Sequence, residues 1–260
     1  MDACFQGDLH LAQWLAETFG STSRFEKCLN TAFTFACMNG HLVVARWLVG
    51  AFDIQAQDAE SAFIETCETG HLNVAQWLAK KFGLTEANII EEAFYTACQN
   101  GHPDVAQWLK GMSGHIERNV RILSLFEVVC ERGYINVARW LAKTFSITQQ
   151  DVRDRRNQAF RWACKSGHLI VAQWLTRKFR LTADDARSLE NQAFRYACEN
   201  GHLLVAEWLV EEFRLTLRDA RALQNYAFRN AWRQGHFHVS RWFTETFGIT
   251  EQDNDDHRRF

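Results

Sequence analysis

The amino-acid sequence predicts an all-α solenoid built from about eight helix-turn-helix repeats, and three observations carry that expectation. A tryptophan recurs at Trp14, Trp47, Trp77, Trp108, Trp140, Trp174, Trp208 and Trp242, at spacings of 30 to 34 residues. A glycine stands seven residues before each one, at Gly7, Gly40, Gly70, Gly101, Gly133, Gly167, Gly201 and Gly235. The 260 residues include one proline, whereas a sandwich or barrel needs many turns rich in Gly and Pro. Self-similarity at this period means stacked supersecondary units rather than a globule with one centre. With 47% hydrophobic and 13% aromatic residues the chain can bury a core, which excludes a disordered tail.

Each element of the unit has its own signal. In the seventh copy, Ala193, Phe194, Ala197 and Cys198 form the apolar face of a first helix, helix A. Gly201 follows, suited to the left-handed conformation that ends a helix. Leu203, Ala206, Leu209 and Phe213 then form the stripe of helix B, widened by Val205 and Trp208, with Glu207, Glu211 and Glu212 outside it. The Phe five residues past the Trp recurs at Phe19, Phe52, Phe82, Phe145, Phe179, Phe213 and Phe247; the fourth copy has Ser113 instead. These aromatics and the repeat tryptophans are read as core. Thr148-Gln-Gln-Asp151, Thr182-Ala-Asp-Asp185 and Thr216-Leu-Arg-Asp219 have the spacing of a capping box at the start of helix A. The single Pro103 sits in the first turn of a helix B, where Pro is tolerated. The whole of 1–260 reads as one repeat domain. Met1 falls within the first helix A, and 248–260, with a fourth Thr250-Glu-Gln-Asp253 signal, reads as a C-terminal cap or tail.

The phrase G-H-L-x-V-A-x-W-L, seen as GHLVVARWL, GHLNVAQWL, GHLIVAQWL and GHLLVAEWL, resembles the ankyrin repeat, and the resemblance covers nearly all of the chain. The Trp stands where that family usually has a leucine. The T-P-L-H opening is replaced by Ala-Phe, as in Gln192-Ala193-Phe194-Arg195, and the hairpin-forming Asp/Gly signals are missing. The resemblance therefore implies an ankyrin-like α-solenoid with shortened or absent β-hairpin fingers. The Trp-rich, Pro-poor wording resembles the ankyrin proteins of large amoeba-infecting DNA viruses, which would place it in a host cytoplasm.

Cys4, Cys37, Cys67, Cys98, Cys130, Cys164 and Cys198 each lie three residues before the repeat glycine, and Trp232 takes that place in the eighth copy. Equivalent residues of stacked units lie about 8–10 Å apart, too far for disulfides between Cα atoms that must come within about 7 Å. The thiols are read as small buried hydrophobes of a reducing compartment, cytoplasmic or nuclear. Cys with His four residues on, as in Cys67/His71, offers two ligands per unit where zinc needs three or four, so no metal and no cofactor is expected. No phosphate loop, dinucleotide fingerprint, H-E-x-x-H or G-x-S-x-G is present, so no catalytic residue is nominated and the chain is not read as an enzyme. Charged or amide residues interrupt every apolar run well before 18 residues, which argues against a membrane span or signal peptide.

The net charge of −2 hides a gradient. Residues 1–130 carry 8 Lys+Arg and 15 Asp+Glu; residues 131–260 carry 21 and 16. Arg161, Arg195 and Arg229 recur 34 residues apart, as do Arg153, Arg187 and Arg221 eight residues before them. Stacking makes them two ladders on the helix A side, which by analogy lines the concave binding face of ankyrin proteins. In one reading the arginines pair locally, as Arg187 could with Glu190. In the other they form a basic strip for an acidic protein segment. The function expected is a non-enzymatic protein-interaction scaffold that binds its partner on the concave helix A face. The alternatives are a nucleic-acid-binding solenoid, disfavoured because the charge is near zero and the aromatics read as core, or a structural component of a larger viral particle.

Overall fold

Each repeat glycine ends one helix and starts the next, as its position predicts. In the computed structural model, which describes residues 2–19, 23–250 and 252, Gly40, Gly70, Gly167 and Gly201 have φ between 77° and 82°. The following amide then reaches back to a carbonyl five residues earlier: His41 to Ala36 at 2.8 Å, His168 to Ala163 at 2.9 Å, His202 to Ala197 at 2.8 Å. That bond satisfies a carbonyl the helix end would leave bare.

The described helices form two compact units, residues 1–117 and 118–260. The first contains α1 (Asp2–Gln6) with α2 (Leu9–Phe19), α3 (Ser23–Met38) with α4 (Leu42–Ala51), α5 (Ala56–Glu68) with α6 (Leu72–Phe82), and α7 (Ala87–Gln99) with α8 (Pro103–Met112). The second opens with α9 (Val120–Glu131) and α10 (Ile135–Thr144). It continues with α11 (Gln149–Asp154), α12 (Gln158–Lys165) and α13 (Leu169–Phe179), then α14 (Ala183–Ala186), α15 (Ser188–Glu199) and α16 (Leu203–Phe213). It ends with α17 (Leu217–Ala220), α18 (Ala222–Arg233) and α19 (Phe237–Phe247). No strand occurs among the described residues; in the second unit the short helices α11, α14 and α17 stand where hairpin fingers would be. Of the stretch 248–260, residues 251 and 253–260 lie outside the described residues, and with them most of the Thr250–Asp253 signal.

The core corrects the reading of the tryptophans. Its large buried rings are the helix A phenylalanines Phe33, Phe63, Phe94, Phe126, Phe160, Phe194 and Phe228, joined by Phe243 and by Phe145, Phe179 and Phe213 five residues past their Trp, packed among the alanines and cysteines of helix A and the Val, Ala and Leu of helix B. The repeat tryptophans from Trp47 onward are half-buried, and Trp14 is 55% exposed. Trp108, Trp174, Trp208 and Trp242 each lean on the helix A Phe of the preceding repeat. Phe63–Trp108, Phe126–Trp174, Phe160–Trp208 and Phe194–Trp242 have ring centroids 6.1 to 6.3 Å apart. These contacts, three edge-on and the last tilted, tie neighbouring repeats together.

The histidine that follows six of the eight repeat glycines is the second tie between neighbouring repeats. The ring of His71 lies against Gly40, that of His102 against Gly70, and those of His168, His202 and His236 against Gly133, Gly167 and Gly201. The Nε2 of His41 is 2.9 Å from the Phe5 carbonyl, so the proton on Nε2 is donated there. A side chain on these glycines would collide: a Cβ on Gly70 would sit 2.2 Å from the His102 Nδ1. Asp8 replaces the histidine in α2, where it accepts from the Leu11 amide at 2.9 Å as a helix cap. All seven ladder cysteines are buried and free, and burial pushes the thiols of Cys37, Cys67, Cys98 and Cys164 up, far from their reactive form.

Two glycines separate the turn from the inter-unit contact. Gly83 is left-handed at φ 66° with open space around its Cβ position, whereas Gly70 is left-handed and covered by His102. In urea unfolding, Gly83→Ala is expected to cost about 1–2 kcal/mol, the left-handed penalty alone. Gly70→Ala is expected to cost clearly more. Adding His102→Ala should cancel the excess, and equal costs at the two glycines would show that the imidazole contact is unimportant.

Candidate partner-binding site

The six ladder arginines lie in residues 148–233, and the local backbone explains where each goes. Thr148, Thr182 and Thr216 form capping boxes: the Thr182 amide donates to Asp185 Oδ2 at 2.8 Å, and the Asp185 amide returns to the Thr182 hydroxyl at 3.4 Å. These boxes start the short helices α11, α14 and α17 rather than helix A itself. The chain turns left-handed at Arg156–Asn157 before α12, and at Leu189–Asn191 and Leu223–Asn225, kinks within the first turn of α15 and α18, with φ from 51° to 61°. Non-glycine residues pay roughly 1–2 kcal/mol each for that conformation, so other contacts must hold it.

One arginine ladder supplies those contacts. Arg161 Nε donates to the Arg156 carbonyl at 2.8 Å, Arg195 donates to the carbonyls of Glu190 at 2.7 Å and Leu189 at 3.0 Å, and Arg229 to that of Leu223 at 3.5 Å. Arg161 also donates to Gln192 of the next unit. Arg161 and Arg195 are buried as a result, at 7% and 8% exposure, and Arg229 is half-buried. Arg195 further lies 4.8 Å over the Tyr226 ring, a cation–π contact with the next unit. Asn157, Asn191 and Asn225, at the ends of the left-handed stretches, are buried too.

The other ladder reaches forward. Arg153 grips Asp185 with two donors, Nε at 3.1 Å and Nη2 at 2.8 Å, and Arg187 grips Asp219 at 2.9 and 3.3 Å. Arg118 pairs with Asp151 at 2.5 Å in the same manner. Each capping aspartate therefore serves two masters, its own helix start and the arginine of the preceding unit. Burial acts to raise the Asp185 pKa, but hydrogen bonds from Arg153, the Thr182 amide, Asn157 and the Thr182 hydroxyl outweigh it and hold the carboxyl down at about 2. Asp219 is lowered for the same reasons, with Arg187 as the leading donor, and Asp151 by Thr148 and Arg118. Arg221 is exposed.

Placement thus separates the six residues. The i+3 partner Glu190 offers Arg195 a backbone carbonyl, and Arg187 turns instead to an aspartate 32 residues ahead. Arg161, Arg195 and Arg229 hold the left-handed turns; Arg153 and Arg187 clasp the next unit while their side chains stay 37% and 34% exposed. Sequence reasoning missed Arg118, the buried Glu127 that pairs with Arg155, and the Tyr226 hydroxyl that donates to Glu199 at 3.1 Å. The constant Arg-to-Asp separation of 32 or 33 residues was the available signal. An open groove of about 730 Å³ runs beside the second clasp, lined by Arg187, Asn191, Thr216, Arg218 and Asp219 among others. Among the described residues no group of three or more His, Cys, Asp or Glu could hold a metal ion, and no helix is long and apolar enough to cross a membrane.

Residues 1–90 match the family model described as ankyrin repeats, in three copies. No curated protein matches the chain.

Acid should unfasten these contacts in two stages. His71 and His202 are lowered by burial and by neighbouring imidazoles, so the fold binds fewer protons than the unfolded chain, and stability falls as pH drops below about 6.5. Asp151, Asp185 and Asp219 are also lowered, so their contribution is present above about 4 and is lost as pH falls through each lowered pKa, about 2 for Asp185. Urea midpoints measured from pH 7 to 2 are expected to show both declines. Asp185→Asn should flatten the lower one, and an unchanged profile would mean the clasp contributes nothing.

Proposed function

With ankyrin repeats present in residues 1–90, and the same glycine-centred unit recurring through α19, we propose that the chain is a non-enzymatic protein-interaction scaffold. Ankyrin repeats are generally protein–protein interaction modules. The partner lies along the helix A side of the second unit and presents an acidic segment. The observation that carries this is the outer ladder, in which Arg153 and Arg187 are half-exposed and Arg221 is exposed. Each guanidinium has five donors; Arg153 spends two on Asp185, and Arg187 uses its Nε and Nη2 on Asp219 and the Arg214 carbonyl, which leaves further donors on each to meet a carboxylate. Arg221 continues the row. Arg161, Arg195 and Arg229 serve this surface indirectly, by fixing the turns on which the outer row stands.

A rigid row of partly neutralised cations gives specificity and fast association more than raw affinity. Binding should therefore weaken as salt rises, with contacts screened beyond about 8 Å at physiological ionic strength.

The test is capture from the native cell with the intact chain, followed by cross-linking of the recovered partner. Cross-links are expected on the helix A side of residues 148–233. Replacing Arg153, Arg187 and Arg221 together by Gln should lower capture of that partner at least tenfold while leaving far-UV circular dichroism unchanged. Undiminished capture by the folded triple variant would remove the outer ladder from the interface.

A further inference from the structure

We propose that the partner segment lies across the repeats of the second unit as a polyproline II helix, with an acidic residue at every third position and apolar residues between. The inference rests on the acidic-partner reading above and specifies the form that partner takes. Arg153, Arg187 and Arg221 recur once per repeat, and helices packed side by side lie about 8–10 Å apart. A polyproline II helix advances about 9 Å in one turn of three residues, so every third side chain points the same way at that interval. A β-strand offers no such match. Its side chains share a face every second residue, about 7 Å apart, and those three apart point to opposite faces.

A second row runs beside the arginines. Leu189 and Leu223 each follow a ladder arginine by two residues, and they are 38% and 45% exposed. Both are left-handed, at φ 51°. A leucine is costly in that conformation, where glycine or asparagine is tolerated, so folding alone does not account for leucines displayed there. Strained residues of this kind cluster at ligand clamps. Both turns are held from within, by Arg195 on the Leu189 carbonyl and Arg229 on that of Leu223. Leu223 and Arg187 line the same open groove of about 730 Å³, so a cation of one repeat and an apolar side chain of the next face one occupant.

Charge sets where the acids fall. Of the carboxylates on that groove, Asp219 is clasped by Arg187, whereas Glu190 is exposed; the residues at its place in the adjoining repeats are Arg156 and Gln224. A carboxylate of the segment is drawn to each arginine and repelled beside Glu190, which favours spaced acids over a continuous acidic run. Proline suits the intervening positions. It keeps the residue before it extended, presents an apolar ring to the leucines, and leaves little ordering for binding to supply.

Fluorescence anisotropy on the intact chain tests this with labelled, end-blocked peptides: one of repeated Asp-Pro-Ala triplets, and a control of the same composition with its aspartates contiguous. The triplet peptide is expected to bind at least about tenfold more tightly than the control at the same salt concentration. Leu189→Asn combined with Leu223→Asn keeps residues that tolerate the left-handed turn. That variant should bring the triplet peptide down to the affinity of the control, with circular dichroism unchanged. Equal affinity for the two peptides, no binding of the triplet peptide, or a folded leucine variant that binds it like the wild type would each overturn the proposal. The acidic-partner reading fails separately, if the folded variant with Arg153, Arg187 and Arg221 changed to Gln binds both peptides as the wild type does.

Discussion

The repeat depends on a glycine that does two things at one atom. Its left-handed φ ends helix A, and its missing side chain lets the imidazole of the next repeat lie against the backbone. The first role would be met by any residue that tolerates the conformation. The second is steric, and it makes the turns at Gly7, Gly40, Gly70, Gly133, Gly167 and Gly201 the seat of the next repeat's histidine. Because the same turn positions helix B, the Trp on that helix meets the buried Phe of the repeat before it. Local backbone geometry and the stacking of units are thereby set by one residue, which is why stability in such a chain passes from neighbour to neighbour.

The two compact units solve the connection between repeats differently. In residues 1–117 the helices α5 and α7 start at Gln55 and Glu86 without a side-chain cap. In residues 118–260 the short helices α11, α14 and α17 start in full capping boxes, and their aspartates also receive an arginine from the repeat before. The left-handed stretches that follow would be costly alone. They persist because Arg161, Arg195 and Arg229 bond the carbonyls those stretches turn outward. Part of the positive charge in this half therefore serves connection, and Arg153 and Arg187 are held in place by their aspartates. Preorganisation of that kind spares a binding surface the cost of ordering long side chains.

Much of the architecture was legible from period alone. Gly201, the Ala193–Cys198 face and the Leu203–Phe213 stripe each announce their element, because helix periodicity and the left-handed cap are local properties. The arginines were legible as ladders, yet their partners were not. Nothing in the order Arg187-Ser-Leu-Glu190 says that the guanidinium will pass over Glu190 to Asp219, since that choice depends on how far one repeat is shifted against the next. The left-handed stretch Leu189–Asn191 carries no glycine and so no warning. Trp208 and its equivalents were misread for a related reason: a large apolar residue inside a helical stripe suggests burial, but its place at the edge of that stripe puts only one side of the indole against Phe160. Core and edge differ by about one residue of helical rotation, and sequence resolves that poorly.

The account stands on neighbouring repeats being joined through side chains that sequence separates by a full period. A double-mutant cycle on Arg187→Ala and Asp219→Ala, read by urea unfolding at pH 7, measures that junction directly, because it subtracts the capping role of Asp219 from its contact with the arginine. A coupling energy of about 1 kcal/mol or more between two residues 32 positions apart is the expected result. Costs that add to within about 0.3–0.5 kcal/mol would contradict it, and the arginine ladders would then be surface charge with no part in holding the repeats together.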